Sequence, residues 1–183
     1  MKNLKLINLN NKTENNKKLI LQGLLNKKQK YILPKFFYDE KGSKLFNKIT
    51  NLREYYPTKK ELEILENLKK KLKKKLPSSS TIVEFGSGSN KKINKFIKSL
   101  DRPKEYIPID ISKEYLFKNA SSIAKKFTNL KVTAICADFN QAQKLNKILK
   151  DKKQIISFFP GSTIGNYLPK NAKKLLKNFS KII

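Results

Sequence analysis

The chain has 183 residues, which is enough for one domain with a buried core and too few for two. No apolar run approaches the roughly 18 residues that a membrane-spanning helix requires, and no secretion signal is recognisable. There is one cysteine, Cys136, and no histidine, which excludes an internal disulfide and a Cys/His zinc site. We therefore expect a cytoplasmic protein without a metal site.

The formal net charge of +28 raises the question of a nucleic-acid partner. Of the 42 basic residues only Arg53 and Arg102 are arginines, whereas phosphate and base recognition favours the planar arginine fork. Lysine, asparagine and isoleucine are all abundant, as A/T-rich codons would produce. Solvated lysine faces are therefore the favoured interpretation, and a nucleic-acid surface is the alternative.

Composition divides the chain into three predicted segments. Residues 1–18 are rich in lysine and asparagine and are expected to be flexible. Residues 19–76 have a helical apolar pattern, and the run PSSS at 77–80 marks the boundary after it. Residues 77–183 then alternate between strand and helix patterns.

The helical segment contains two recognisable helix starts. Gly42 and Ser43 begin a short amphipathic helix. Pro57 and Thr58 begin a long helix whose apolar residues recur every three or four positions. Thr58 and Glu61 also have the spacing of a capping box, in which both side chains bind backbone N–H groups at the start of the helix.

Strand and helix patterns alternate four times in the C-terminal segment. The predicted strands are 81–85, 106–111, 131–137 and 154–159, and the predicted helices are 90–100, 112–127, 141–149 and one that opens at Pro169. This alternation predicts an α/β fold with a parallel sheet and right-handed crossovers. Because a parallel sheet needs both faces covered, four strands make an incomplete version, and we expect a truncated chain or a fragment.

The first predicted strand runs into its helix through a glycine turn. Residues 84–90 read EFGSGSN, and Gly86 and Gly88 let the backbone turn sharply and approach a ligand. The dinucleotide fingerprint requires a third glycine where Lys91 stands, so NAD is disfavoured, and the Gly-Lys-Ser/Thr of a Walker loop is absent. An acidic residue followed by Gly-x-Gly is typical of S-adenosylmethionine folds. An ordinary strand-to-helix turn is the alternative.

The next two predicted strands each end near an aspartate. Asp110 ends the second strand, where a carboxylate can accept both ribose hydroxyls of a nucleotide lying along the edge of the sheet. Asp138 follows the third strand, where it can accept the adenine amino group with Phe139 beside the base. Each aspartate could instead cap the helix that follows it. Three strand ends in order, each with a suitable group, favour the cofactor interpretation.

Polar and aromatic residues gather after the fourth strand and in two upstream segments. Residues 158–167 read FFPGSTIGNY, and Asn166 offers both a donor and an acceptor to a substrate. Tyr38 and Tyr56 stand upstream in segments without a core pattern. For each of these tyrosines, ordinary packing against the sheet is the alternative.

Five segments together resemble, in order and spacing, the histidine-specific methyltransferase family. The match extends over about residues 20–180, and the second and fifth segments are the most distinctive. The five segments are FYDEKGS at 37–43, EYYPT at 54–58, EFGSGS at 84–89, YIPIDIS at 106–112 and GSTIGN at 161–166.

The resemblance implies a Rossmann-like class I methyltransferase core that uses S-adenosylmethionine. Tyr56 and Asn166 would hold the backbone of the substrate histidine, and Tyr38 would lie near its amino group. The residues expected to contact the cofactor are Gly86, Gly88, Lys92, Asp110, Asp138 and Phe139.

The implied reaction is N-methylation of the α-amino group of L-histidine, towards the trimethylated betaine of ergothioneine biosynthesis. Such a transfer requires alignment and desolvation of the partners rather than a metal or a covalent nucleophile. Tyr38 is the candidate acceptor for the proton that the amine loses between rounds. The alternatives are a methyltransferase for another amino acid, an amine or RNA, and a truncated remnant that binds the cofactor without turnover.

Overall fold

The computed structural model describes residues 1–9, 16–138 and 142–181. Its strands are β1 Leu4–Asn8, β2 Thr81–Phe85, β3 Glu105–Asp110, β4 Lys131–Cys136 and β5 Ile155–Phe158. All of their pairings are parallel, and the strand order in the sheet is β1-β4-β3-β2-β5. The α/β fold predicted from the alternation is therefore confirmed, and the ends of the four predicted strands agree to within one residue.

Helices cover both faces of this sheet, as a parallel sheet requires. They are α1 Asn16–Leu24, α2 Glu40–Ile49, α3 Tyr56–Lys75, α4 Asn90–Lys98, α5 Lys113–Lys126, α6 Ala142–Leu149 and α7 Pro169–Ser180, with short 3-10 helices at Pro34–Phe37 and Thr163–Asn166. One buried cluster joins the sheet to α3, α4 and α5, and a second joins its other face to α6 and α7. Within the described ranges, no helix has the length and apolar character needed to span a membrane.

The N-terminal residues were expected to be flexible, but part of them forms the edge strand β1. Leu4 lies beside Val132 and Asn8 beside Cys136 in a parallel pairing with β4. The Asn3 side chain anchors this strand by donating to the carbonyl oxygen of Leu130 at 3.1 Å. An edge strand buries few side chains, so lysine and asparagine are tolerated around it, and its composition gave no signal.

The start of α2 differs from its prediction. The helix begins at Glu40, before the predicted start at Gly42 and Ser43. Asp39 is its N-cap, and the Asp39 carboxylate accepts the N–H of Gly42 at 2.7 Å. This is the usual way in which an aspartate satisfies a free N–H group in the first turn of a helix.

The capping box predicted for α3 is wrong. The helix begins at Tyr56, its N-cap is Tyr55, and no side chain caps it. Thr58 therefore lies inside the first turn, where its side chain is buried. Glu61 instead forms contacts with Gly161 and Lys92, which lie in other parts of the fold.

Candidate cofactor and acceptor site

Three neighbouring strands end at one edge of the sheet, and a predicted cofactor residue lies at or just after the end of each. The N–H of Gly86, after β2, donates to the carbonyl of Ile109 at 2.9 Å. The N–H of Ala137, after β4, donates to the carbonyl of Asp110 at 3.0 Å. These hydrogen bonds continue the backbone pairing of the sheet beyond the strands. They hold Gly86, Asp110 and Asp138 at adjacent strand ends, in the predicted order.

A cleft opens at these strand ends and brings most of the predicted residues together. Tyr56 is not among the residues that line it, and its side chain at the start of α3 is 67% exposed. Phe139 lies outside the described residues. The predicted residues that line the cleft are Tyr38, Gly86, Gly88, Lys92, Asp110, Asp138 and Asn166.

The glycine turn leaves room for a ligand close to the backbone. Gly86 has a φ of +76°, which glycine adopts without strain. A Cβ added at Gly88 would meet no heavy atom of the described residues within 4 Å. The turn leads into α4 at Asn90, so free N–H groups of a helix start lie next to this open space. An open turn flanked by the carboxyl groups of Asp110 and Asp138 fits a nucleoside with ribose hydroxyls and an exocyclic amine.

Two carboxyl groups near the turn have pKa values close to neutrality. Glu84 is 2% exposed, and burial raises its pKa to about 7 although it accepts a hydrogen bond from the Tyr106 hydroxyl. Burial also raises the pKa of Tyr106 well above its usual value, so this hydroxyl stays protonated and donates. Burial raises the pKa of Asp110 to about 6, against the opposing effect of backbone N–H groups such as that of Ser112.

The variant Glu84→Gln should stabilise the protein at pH 8 and have little effect near pH 4. A carboxyl group with a raised pKa destabilises the fold only when it is ionised, so its cost appears between pH 4.5 and about 7 and is complete above that. The rise in pKa corresponds to about 3 kcal/mol. Urea unfolding of parent and variant at both pH values measures this difference. An equal difference at the two pH values would show that the Glu84 carboxyl does not titrate as described.

Tyr38 and Asn166 meet in the cleft although they are far apart in the sequence. The Asn166 side-chain amide donates to the Tyr38 hydroxyl at 3.3 Å. The Tyr38 ring is partly buried and meets the edge of Phe46 with ring centroids 6.2 Å apart. Asn166 ends the short 3-10 helix in the segment 160–166, which we call the acceptor loop. Packing thus fixes the tyrosine ring, while its hydroxyl lies with Asn166 at the cleft.

The structure adds residues that the sequence did not indicate. Asn47 in α2 donates to the Tyr115 hydroxyl in α5 at 2.6 Å, and both residues line the cleft. Glu61 in α3 accepts the N–H of Gly161 at 2.8 Å and forms an ion pair with Lys92. Asn47, Tyr115 and Glu61 stand on amphipathic helices, where a polar residue is ordinarily solvated, so the sequence pattern did not indicate their contacts.

Similarity to known proteins extends over nearly the whole chain. The profile of a family described as histidine-specific methyltransferase, SAM-dependent, matches residues 16–183. A histidine N-alpha-methyltransferase of Mycobacterium tuberculosis (strain CDC 1551 / Oshkosh) is 34% identical over 148 residues, which cover 79% of this chain and 45% of that protein. Ergothioneine biosynthesis protein 1 of Neurospora crassa is 29% identical over 150 residues, covering 80% of this chain and 17% of that protein.

A third relative is named for a different substrate. A 4-dimethylallyltryptophan N-methyltransferase of Epichloe festucae var. lolii is 26% identical over 171 residues, covering 89% of this chain and 49% of that protein. The chain thus spans less than half the length of each of these three relatives. The family description makes S-adenosylmethionine the expected cofactor of the cleft. The resemblance found in the sequence is confirmed, and the chain belongs to the family of histidine-specific, S-adenosylmethionine-dependent methyltransferases.

Proposed function

We propose that this chain provides the cofactor and acceptor cleft of an N-methyltransferase that acts on the α-amino group of L-histidine, towards trimethylhistidine in ergothioneine biosynthesis. The observation that carries the proposal is the contact of Tyr38 with Asn166 in the same cleft as the strand-end carboxyl groups. It brings the first and the fifth segments of the family resemblance together at one place, beside the residues that fit the cofactor.

The cofactor would lie along the carboxyl edge of the sheet. The backbone of Gly86 and Gly88 leaves space for it, and the carboxylates of Asp110 and Asp138 would accept hydrogen bonds from the ribose and the adenine amine. Lys92 would contact the amino-acid end of the cofactor. S-adenosylmethionine, when bound, supplies a methyl group that is already activated by its sulfonium charge.

The acceptor would be held by its amino-acid backbone. The Asn166 amide can donate to a carboxylate and accept from an amine, and Tyr56 would assist from the start of α3. Tyr38 would align the α-amine by accepting a hydrogen bond from it, and the proton that the amine loses between rounds of transfer would pass by way of this hydroxyl to water. Its hydroxyl already lies 3.3 Å from the Asn166 amide, so one small rearrangement would bring both groups into contact with the same substrate molecule. Protein groups of this kind accelerate transfer by positioning and desolvation.

A second candidate is N-methylation of another amino acid, favoured by the relative that is named for 4-dimethylallyltryptophan. Asn166 and Tyr38 would serve such a substrate equally well, because every α-amino acid has the same backbone groups. We expect a cytoplasmic enzyme with a small-molecule substrate and no nucleic-acid partner. The carboxyl groups that line the cleft support this, since they suit a nucleoside and an amine rather than a phosphate backbone.

Asn166→Ala should weaken the binding of L-histidine by about tenfold, because a hydrogen bond to the substrate carboxylate is lost. Calorimetry with protein saturated by S-adenosylhomocysteine, the product left after methyl transfer, measures this affinity. Histamine, which lacks the carboxylate, should bind weakly to parent and variant alike. Asn171→Ala, an exposed position in α7, is the matched control. Tighter binding of a tryptophan derivative than of histidine would favour the second candidate instead.

A further inference from the structure

We propose that Glu61 is a positioning residue that ties the acceptor loop to Lys92 and thereby couples the two ends of the cleft. The inference deepens the proposed function, since it takes Lys92 as the cofactor contact and the acceptor loop as the acceptor contact. Glu61 itself does not line the cleft. Any effect that it has on a ligand therefore acts through the two groups that it holds.

The two carboxylate oxygens of Glu61 have different partners. Oε1 accepts the backbone N–H of Gly161 at 2.8 Å, across 100 positions of sequence. Oε2 forms the ion pair with the Lys92 ammonium, across 31 positions. One side chain of α3 thus joins the acceptor loop after β5 to the first turn of α4. Hydrogen bonds with an ionised partner are about twice as strong as neutral ones, so the link is a firm one.

The loop and the lysine are also in direct proximity. Gly161 has a φ of +86°, and a Cβ added there would stand 3.3 Å from the Lys92 Nζ atom. The side chains of Lys92 and Glu61 are only 13% and 29% exposed, so water screens this pair less than it screens a surface pair. A displacement of Lys92 must therefore move Glu61, the acceptor loop, or both.

The lysine can hold Glu61 and a ligand at the same time. An ammonium group has three N–H donors, and Glu61 takes one of them. Lys92 lines the cleft, so its remaining donors are available to a carboxylate bound there. Ligand binding at Lys92 would then restrict the lysine, Glu61 and the loop together. Two sites that share a restrained group in this way are coupled in affinity.

The same pair of helices offers a matched control. Glu66 forms an ion pair with Lys95, which also joins α3 to α4, at 2.5 Å. The Glu66 side chain is 55% exposed, and within the described residues it has no hydrogen bond to the acceptor loop. Loss of Glu66 therefore removes an α3–α4 ion pair and leaves the loop contact in place.

The first test measures amide hydrogen exchange of peptides that cover residues 160–166 in the ligand-free protein. Glu61→Ala should accelerate exchange at Gly161 about tenfold, because its N–H loses a charged acceptor. Glu61→Gln should have a smaller effect, since its amide oxygen can still accept the bond. It also keeps the proposal testable if the alanine variant folds poorly. Glu66→Ala should leave exchange in the loop unchanged. Equal loop exchange in Glu61→Ala and in the parent would overturn the proposal.

The second test repeats the exchange with saturating S-adenosylhomocysteine. In the parent and in Glu66→Ala, the ligand should protect both the glycine turn at 84–90 and the acceptor loop. In Glu61→Ala, it should protect the turn and no longer the loop. Ligand-induced protection of the loop that survives in Glu61→Ala would overturn the coupling. If the parent binds no S-adenosylhomocysteine at all, the proposed function fails, and the ligand-free exchange still decides whether Glu61 ties the loop.

Discussion

Replacement of Asp110 by alanine should weaken the binding of S-adenosylhomocysteine by about 100-fold. The carboxylate at the end of β3 would accept two ribose hydroxyls, and bonds to a charged acceptor contribute about 1.5–3 kcal/mol each before losses elsewhere. A loss of about 3 kcal/mol corresponds to a factor of about 100 in affinity. Calorimetry on the purified variant measures the change directly.

Two comparisons make the result for Asp110 specific. Asp151→Ala, an exposed aspartate after α6, should bind the ligand as the parent does. Because burial raises the pKa of Asp110 to about 6, the parent should lose affinity as the pH falls through 6 and this acceptor becomes protonated. Asp110→Asn should bind weakly throughout and lose this pH dependence. Equal affinity of parent and alanine variant would remove Asp110 from the site.

Replacement of Phe85 by alanine should lower the free energy of unfolding by about 3–5 kcal/mol. Phe85 ends β2, is fully buried, and stacks on Phe179 of α7 with ring centroids 3.6 Å apart. The substitution leaves a cavity that the sheet cannot close, because its neighbouring strands are fixed by their hydrogen bonds. Urea unfolding followed by circular dichroism measures the loss.

The loss of Phe85 should also weaken the binding of histidine at the candidate site. The stacking holds α7 against the sheet, and the acceptor loop leads from β5 into α7. Phe85→Leu, which preserves most of the volume, should retain most of the stability and the histidine affinity. Phe37→Ala, with a side chain 59% exposed, is the control and should change stability by less than about 0.5 kcal/mol. A loss as small for Phe85→Ala as for Phe37→Ala would contradict the packing described.

The sheet could be predicted because its central strands are buried on both faces. Such strands appear in the sequence as short apolar runs between turn residues, and Thr81–Phe85 matched its prediction at both ends. The first strand, Leu4–Asn8, could not be predicted in this way. It pairs with one neighbour only, and most of its side chains keep some exposure, so its sequence resembles that of the solvated residues around it.

The residues of the candidate site likewise fall into two groups, those that the strand pattern could place and those that it could not. Gly86, Asp110 and Asp138 lie at or just after the ends of predicted strands, and parallel strands end at a common edge, so their convergence followed from the strand order. Tyr56 was predicted beside the acceptor, but its side chain points to solvent in the described structure, and its role stays a prediction. The apolar periodicity of a helix does not specify how the residue at its start will face a loop that lies more than a hundred positions further along the chain.

Glu61 shows why a local pattern can mislead. Its spacing from Thr58 suits a capping box, which concerns only the first turn of one helix. The tertiary fold instead offers Glu61 a lysine and a backbone N–H from two other elements. A charged partner and a partly buried N–H donor together stabilise the Glu61 carboxylate more than a local cap would. The sequence alone did not place either of them near α3.

The most direct test of the proposed function is the transfer of a labelled methyl group from S-adenosylmethionine to L-histidine, with the labelled position identified by NMR. The assay uses the protein in which this chain occurs and compares histidine, histamine, tryptophan and mixed RNA as acceptors. We expect label on the α-nitrogen of histidine, none on histamine or RNA, and a large loss of transfer in Asp110→Ala. Label on the imidazole ring, on RNA, or on another amino acid in preference to histidine would contradict the proposed function.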